Sequence, residues 1–377
     1  MSRSPTSPPR VLLLSNFPVP YQLELLAAVE ASGELALTAL FLEDRDPARD
    51  WPSATRGQAR VLPSLGKRLP PELQLHPTLL PELLALRPQL AIVCGYSYAA
   101  FQGALLALRA LRVPVLLWAE VPRLDAGGLA RRLVRGALLR QLRGVRGVLA
   151  IGTRAEGVWR AALPGVPATS FPYVCDLDRY LSIERGGARR PSFTFLFSGQ
   201  LIARKGVDLL LAAFAQAAAR DPSLRLTLAG DGSERTRLEA SVPAALRQRV
   251  RFEGFVSWDR LPEVYAAADA LVIPSRHDGW GMVVNEAFGA GLPVIASDAV
   301  GAALDLVIPG ETGLLVPAGE VEPLAEALAS LPPQAERIGA AARAVARARL
   351  LPAQAAARLA AIVRRVLAGE PLVETAP

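Results

Sequence analysis

Short apolar runs alternate with longer amphipathic segments from one end of this chain to the other, and few folds accept such a pattern. The runs cover residues 11–14, 35–42, 90–94, 113–118 and 147–151 in the first half, and 193–197, 224–229, 250–253, 270–273, 294–296 and 313–316 in the second. Runs this short read as strands buried on both faces, and the segments between them are long enough for crossover helices. Repeated strand and helix units build a parallel sheet with helices on both sides. The rhythm breaks once. Residues 172–191, PYVCDLDRYLSIERGGARRP, lose periodicity and gather Gly, Arg and Pro, which marks a boundary. At 377 residues the chain has room for two cores. The expected organisation is α/β: a disordered tail over 1–10, a doubly wound domain over 11–180, a linker over 181–190, a second doubly wound domain over 191–350, and a helix and tail within 351–377, the helix returning to the first domain.

Charge narrows the partners. Lys plus Arg number 42 against 35 Asp plus Glu, a net +7, yet Lys67 and Lys205 are the only lysines. An arginine excess in a chain this rich in Ala, Leu and Pro reads as coding bias toward a GC-rich genome, and no nucleic-acid partner is expected. Cys94 and Cys175 show no metal or redox spacing, which fits a reducing compartment. Residues 1–10, MSRSPTSPPR, lead into only four apolar residues, neither a signal peptide nor a membrane span. A cytoplasmic protein is expected. Within 129–146, Leu129, Leu133, Leu138 and Leu142 fall near one face and Arg131, Arg132, Arg135 and Arg143 elsewhere. The plain reading is an outer helix on the sheet; the sharper one is contact with anionic lipid at the inner membrane face.

Ligands of doubly wound sheets sit beyond the carboxyl ends of the strands, so two facing domains would share a central cleft. That rule selects Ser15, Asn16, residues 95–98, residues 118–120, Gly152 and Thr153 from the first half. From the second half it selects residues 199–206, residues 230–232, Gly254, Phe255 and the turn in 274–293. The second set is richer in glycine and charge, and the charged ligand is assigned to it. In the turn, PSRHDGWGMVVNEAFGAGLP, Asp278 and Glu286 stand eight positions apart, with Gly279 and Gly281 allowing a tight turn into a helix over 282–290. Unpaired N–H groups at such a helix start suit a phosphate. Glu286 lies roughly 6 Å further along the axis, in reach of a ribose hydroxyl attached to that phosphate. The loop SGQLIARKG, 198–206, adds Arg204 and Lys205 just before another helix, and GDG at 230–232 adds a close backbone approach.

The order SGQLIARKGVDLLLAAF, LAGDGSERTRLE, VRFEGFVSWDRLPEVYAAADALVIPSR and HDGWGMVVNEAFGAGLPVIASDAVGAALDLV closely resembles the C-terminal half of the retaining glycosyltransferases of family 4, which have the GT-B fold of two Rossmann-like domains facing a central cleft. The resemblance is strong over 193–317; in the N-terminal half it rests on the strand pattern, NFPVPYQ and GYSY. It implies transfer of a sugar from a UDP or GDP sugar to a glycan or lipid-linked acceptor, with retention at the anomeric carbon and without a metal or other cofactor. By resemblance, Lys205 binds the donor diphosphate, helped by Arg204, Glu286 holds the ribose, and Asp278 stands next to the transferred sugar. Gly279, Trp280, Gly281, Met282 and Val283 surround the diphosphate through their backbone, with Gly199, Gln200 and Gly230 beside it, and Arg251, Phe252 and Phe255 belong to the segment that meets the nucleobase. On the acceptor side, strand-end position selects Asn16, Tyr96 and Glu120.

Two positions depart from the family. Many relatives carry Glu where this chain has Asp278, and Arg where it has Gln200. The shorter acid bears on sugar choice, and Arg204 is the substitute for the lost phosphate contact. His76, in a proline-flanked loop, is read as a surface residue and His277 as a cleft-edge one; Asp176 and Asp178 form a D-x-D read as structural. A dinucleotide oxidoreductase would carry G-x-G-x-x-G after the first strand, where this chain has SNFPVPYQ. A GT-B epimerase and a nucleotide-sugar-binding subunit share the architecture, and their products, or lack of them, would tell them apart.

Overall fold

The computed structural model describes residues 7–44, 59–65, 70–121, 129–185 and 191–372. The expected tail falls largely outside the described residues, as do the second half of the expected linker and the side chains over 129–135. The chain divides into two units, Met1–Val174 with Pro352–Pro377, and Cys175–Leu351.

The N-terminal unit is a parallel sheet of β1 (Arg10–Ser15), β2 (Ala36–Phe41), β3 (Ala59–Val61), β4 (Leu90–Val93), β5 (Val115–Ala119), β6 (Gly147–Ala150) and β7 (Ala168–Ser170), in the order β3-β2-β1-β4-β5-β6-β7. Every residue of β4 and β5 is buried, which is why their sequences, LAIV and VLLWA, carry no polar alternation. The helix Pro352–Leu367 belongs to this unit. Its Leu359, Ile362, Val363 and Val366 are buried at helical spacing; it packs on the helix Pro20–Ser32, and Arg364 pairs with Glu34 at 2.8 Å.

The C-terminal unit repeats the plan with β8 (Phe193–Ser198), β9 (Leu224–Ala229), β10 (Val250–Gly254), β11 (Ala270–Ile273), β12 (Val294–Ser297) and β13 (Gly313–Val316), in the order β10-β9-β8-β11-β12-β13. Its helix Val207–Arg220 shows how the sequence does this. Val207, Leu210, Leu211, Phe214, Ala217 and Ala218 recur at the spacing of one helical face, and all six are buried against the sheet. Burying Phe214 alone contributes about 1.5–3 kcal/mol. The helix stops at Asp221, whose carboxylate instead accepts from the Ser223 backbone at 2.8 Å and hydroxyl at 2.7 Å.

Several expectations change. The division between units falls at Val174, ahead of the expected linker. Residues after it are held by the C-terminal unit: Arg185 donates to the carbonyls of Ala290, Ala268 and Tyr265 at 2.6–2.8 Å. The strands β3 and β7, three residues each, were not anticipated. His76 is buried, 8% exposed, because its loop folds back through the pairing of Leu65 with Leu75; desolvation pushes its pKa down. Among the described residues no helix is long and apolar enough to cross a membrane.

Candidate functional site

In both sheets the strand order reverses between the first strand and the fourth, at β1/β4 and at β8/β11. Loops leaving the carboxyl ends of such neighbours run in opposite directions and open a crevice.

At the β8/β11 crevice the loops touch through backbone. Gly230, at φ 145°, leaves so little room that a Cβ there would lie 1.8 Å from the Gly199 carbonyl oxygen; a Cβ on Gly206, at φ 69°, would lie 2.2 Å from that of Pro274. Glycine is therefore required where the loop after β8 meets its neighbours. The turn Ala203–Lys205 ends that loop and directs Lys205 at the other strand end, where its Nζ lies 2.6 Å from Asp278 Oδ2. Arg204 is 3.9 Å from Asp278 Oδ1 and donates to the His277 carbonyl at 3.3 Å. A third cation, Arg276, is otherwise committed. It makes two hydrogen bonds to Asp208, at 2.8 and 2.7 Å, and one to the Ala203 carbonyl at 2.7 Å.

The glycine turn after Asp278 leads into the helix Val283–Gly289, one residue shorter at each end than expected. Gly281, at φ 92°, makes the bend. The Trp280 side chain is 2% exposed and donates to Asn285 Oδ1 at 3.2 Å, which leaves its backbone for the role expected of it. Glu286 accepts a hydrogen bond from the Tyr265 hydroxyl at 2.6 Å on Oε2. Burial pushes its carboxyl above the usual glutamate range, while the hydroxyls of Tyr265 and Tyr180 and the charge of Arg179 act in the opposite direction. Tyr180 and Tyr265 meet edge to face at 5.1 Å, and Arg179 stacks 3.6 Å from the centre of the Trp258 ring.

Sequence reasoning missed this Tyr265, Tyr180 and Arg179 shell, because residues so far apart in sequence carry no spacing that links them to Glu286. At the edge of the crevice, Phe255 is 64% exposed, Gln200 is exposed, and Arg251 pairs with Glu253 at 2.7 Å. Asp176 accepts from the backbone N–H of Asp178 at 3.0 Å, so the D-x-D makes a local turn just before the helix Asp178–Leu181. Among the described residues there is no cluster of three metal-ligating side chains.

The β1/β4 crevice of the N-terminal unit is a cavity of about 490 Å³ and brings together Asn16, Tyr96 and Glu120. Asn16 Oδ1 accepts from the backbone of Phe17 at 3.0 Å, and Glu120 Oε1 accepts from the Tyr173 hydroxyl at 3.3 Å. Several lining residues were not anticipated, among them Tyr21, Gln22 and Tyr173. Tyr21 and Tyr173 pack ring to ring at 4.1 Å, and Trp118 meets Tyr173 at 5.4 Å.

The sequence of the C-terminal unit can now be set beside known proteins. Residues 181–345 match the family Glycosyl transferases group 1. The match spans the part of the β8/β11 crevice from Gly199 to Glu286. The chain is 40% identical over 148 residues to a GDP-mannose-dependent alpha-mannosyltransferase of Mycobacterium tuberculosis (strain CDC 1551 / Oshkosh), covering 39% of this chain and 36% of the relative. It is 38% identical over 179 residues to a D-inositol 3-phosphate glycosyltransferase of Rhodococcus opacus (strain B4), covering 44% and 40%. The chain thus spans less than half the length of these curated relatives. Over nearly its whole length it has the fold of Anabaena Alr3699/HepE, solved in complex with UDP, with a TM-score of 0.72 at 20% identity, covering 94% of this chain and 99% of that one. The fold class is the expected GT-B one.

Proposed function

We propose that this protein is a retaining, metal-independent glycosyltransferase of family 4 that moves a sugar from a UDP or GDP sugar to a glycan or lipid-linked acceptor, in polysaccharide or glycoconjugate biosynthesis. The observation that carries the reading is the convergence of Lys205, Arg204, Asp278 and the start of the helix Val283–Gly289 at the β8/β11 switch point. A nucleoside diphosphate leaving a sugar gains negative charge on its phosphates. Each cation there attracts a phosphate by about 4 kcal/mol at 4 Å and an effective dielectric of 20, before desolvation. Two such cations and the helix start take the part a divalent metal plays elsewhere. Asp278 faces the sugar as it becomes cationic, and Glu286, held by Tyr265, receives the ribose hydroxyls. The cavity with Asn16, Tyr96 and Glu120 takes the acceptor. The reaction is assigned to the cytoplasm, with contact to the inner membrane face through 129–146.

Thermal shift with UDP, GDP, ADP and TDP sugars, followed by assay of nucleoside diphosphate release over an acceptor panel, tests the reading. Stabilisation by one nucleotide class and acceptor-dependent release are expected. Binding without release from any acceptor overturns the transferase reading, and conversion of the sugar without acceptor replaces it with an epimerase.

A further inference from the structure

We propose that the N-terminal unit binds a phosphate group, carried by a soluble molecule or by a lipid headgroup, in a cavity at the edge of its sheet opposite the β1/β4 crevice. Nothing in this rests on the glycosyl-transfer reading. The amino ends of four strands meet at that edge, and each is entered through an arginine. Arg10 begins β1, Arg87 lies three residues before β4, Arg112 three before β5, and Arg146 one before β6. The four strands are consecutive neighbours in the sheet, so at about 4.8 Å per strand the arginines start along a line of roughly 15 Å.

A cavity of about 400 Å³ opens there, and Arg112 and Arg146 line it together with Arg109, from the last turn of the helix Ala99–Ala110. Backbone bonds fix where these side chains begin. The Arg146 N–H donates to the Val115 carbonyl at 2.7 Å, and the Arg112 N–H to the Arg109 carbonyl at 3.0 Å. The Arg109 guanidinium lies over Gly144, another lining residue, where an added Cβ would stand 3.5 Å from its Nη1. Three cations on one cavity attract an anion, and a phosphate accepts charge-assisted, bidentate hydrogen bonds from guanidinium groups.

Arg112 carries a second, independent sign. It stands just past the helix Ala99–Ala110 at φ 56°, in the left-handed region, at a position where glycine is the usual residue. The Val113 N–H closes the same helix end onto the Leu108 carbonyl at 2.9 Å. A glycine would make this turn without strain, so the chain bears a backbone cost to keep a cation at the cavity. Arg87 repeats the device at φ 44°, past the helix Leu79–Leu86. Leu106 and Leu367 also line the cavity, 60% and 36% exposed, and give an apolar extension of the ligand a surface to meet.

Two arms on the full chain separate the sources: isothermal titration with inorganic pyrophosphate, and co-sedimentation with phosphatidylcholine vesicles made with and without phosphatidylglycerol. Both are run in a Lys205→Ala background, which weakens phosphate binding at the β8/β11 crevice. Arg112→Gly is the deciding variant, because it removes the cation and relieves the backbone. Its melting temperature should hold or rise, while binding falls about tenfold or more. Arg146→Gln should weaken binding several-fold as well. Loss in the titration assigns the phosphate to a soluble molecule, and loss confined to vesicles holding phosphatidylglycerol assigns it to a lipid headgroup; either supports the site. The site is overturned if neither probe binds, or if Arg112→Gly or Arg146→Gln binds as the parent does. It is equally overturned if Arg220→Gln, at an exposed position of the other unit, weakens binding as much, since net charge would then be the cause.

Discussion

Lys205 Nζ and Asp278 Oδ2 lie 2.6 Å apart, with both side chains largely removed from solvent at 14% and 12% exposure. The ion pair joins the ends of β8 and β11 and keeps the lysine pointed at the crevice before any donor arrives. Removing either partner therefore disturbs the other. Lys205→Ala should weaken donor binding or turnover by about tenfold or more, roughly 1.4 kcal/mol, with the fold intact. Asp278→Ala should also weaken it, and the double variant should lose less than the sum, by about 0.5–3 kcal/mol of coupling. Isothermal titration of the donor nucleotide across the four proteins reads the cycle. Additive losses would mean that the pair does not set the lysine.

Glu286 combines a buried carboxyl with the proposed task of holding the ribose, and pH separates the two. Its folded pKa is raised, chiefly by desolvation. Below the usual glutamate value it is protonated in both folded and unfolded chains and costs nothing. As pH rises through the raised folded value, the fold must hold a desolvated charge, and stability falls. Glu286→Gln keeps an oxygen for the Tyr265 hydroxyl and removes that charge. At neutral pH its melting temperature should equal or exceed that of the parent, and the gap should close as pH falls below about 4. Donor affinity should drop about tenfold at the same time. Thermal melts over a pH series, with donor titrations alongside, measure both.

Much of this site could be read in the sequence, and the part that could not has a physical reason. Lys205 and Asp278 sit in the stretches that follow β8 and β11, and Glu286 in the helix just beyond, and a strand's carboxyl end is legible once its apolar run is found. The aromatic shell was hidden because Tyr180 and Tyr265 belong to short helices, Asp178–Leu181 and Leu261–Ala267, whose relation to Glu286 arises from packing alone. Trp280 lies within the phosphate turn in sequence, while its large apolar side chain is buried in the core. The strands β3 and β7 are too short to show a periodicity, and pairing with β2 and β6 defines them.

Arg276 is adjacent to the site in sequence but serves the fold. Its two bonds to Asp208 hold that carboxyl below the usual aspartate range. The depressed folded value means that the stabilisation is present above the ordinary aspartate pKa and is lost as pH falls through the folded one. Both side chains are about a third or more exposed, at 40% and 33%, so solvent screening leaves only about 0.5–1 kcal/mol. Asp208→Asn should lose that amount in urea unfolding at neutral pH, and the difference should close as pH falls from the ordinary aspartate value of about 3.9 through the depressed folded one. Donor affinity should not change, because the backbone of Arg276 still donates to the Arg204 carbonyl at 2.8 Å.

Gly230 offers the test of whether the loop contacts, rather than the charged side chains alone, make the site. An alanine there suffers twice. Its φ of 145° is outside what L side chains commonly adopt, and its Cβ would lie 1.8 Å from the Gly199 carbonyl oxygen, a backbone atom that cannot rotate aside. Strain and overpacking together should cost roughly 2–4 kcal/mol. Gly319→Ala is the matched control. That glycine also has positive φ, 90°, but nothing lies within 4 Å of the added Cβ, so only backbone strain of about 1 kcal/mol or slightly more applies. Calorimetry should rank Gly230→Ala well below Gly319→Ala. Donor binding should fail in the first even at temperatures where it remains folded, since relief of the clash moves the loop that carries Lys205; equal binding by both variants would show that the loop contact does not govern the site.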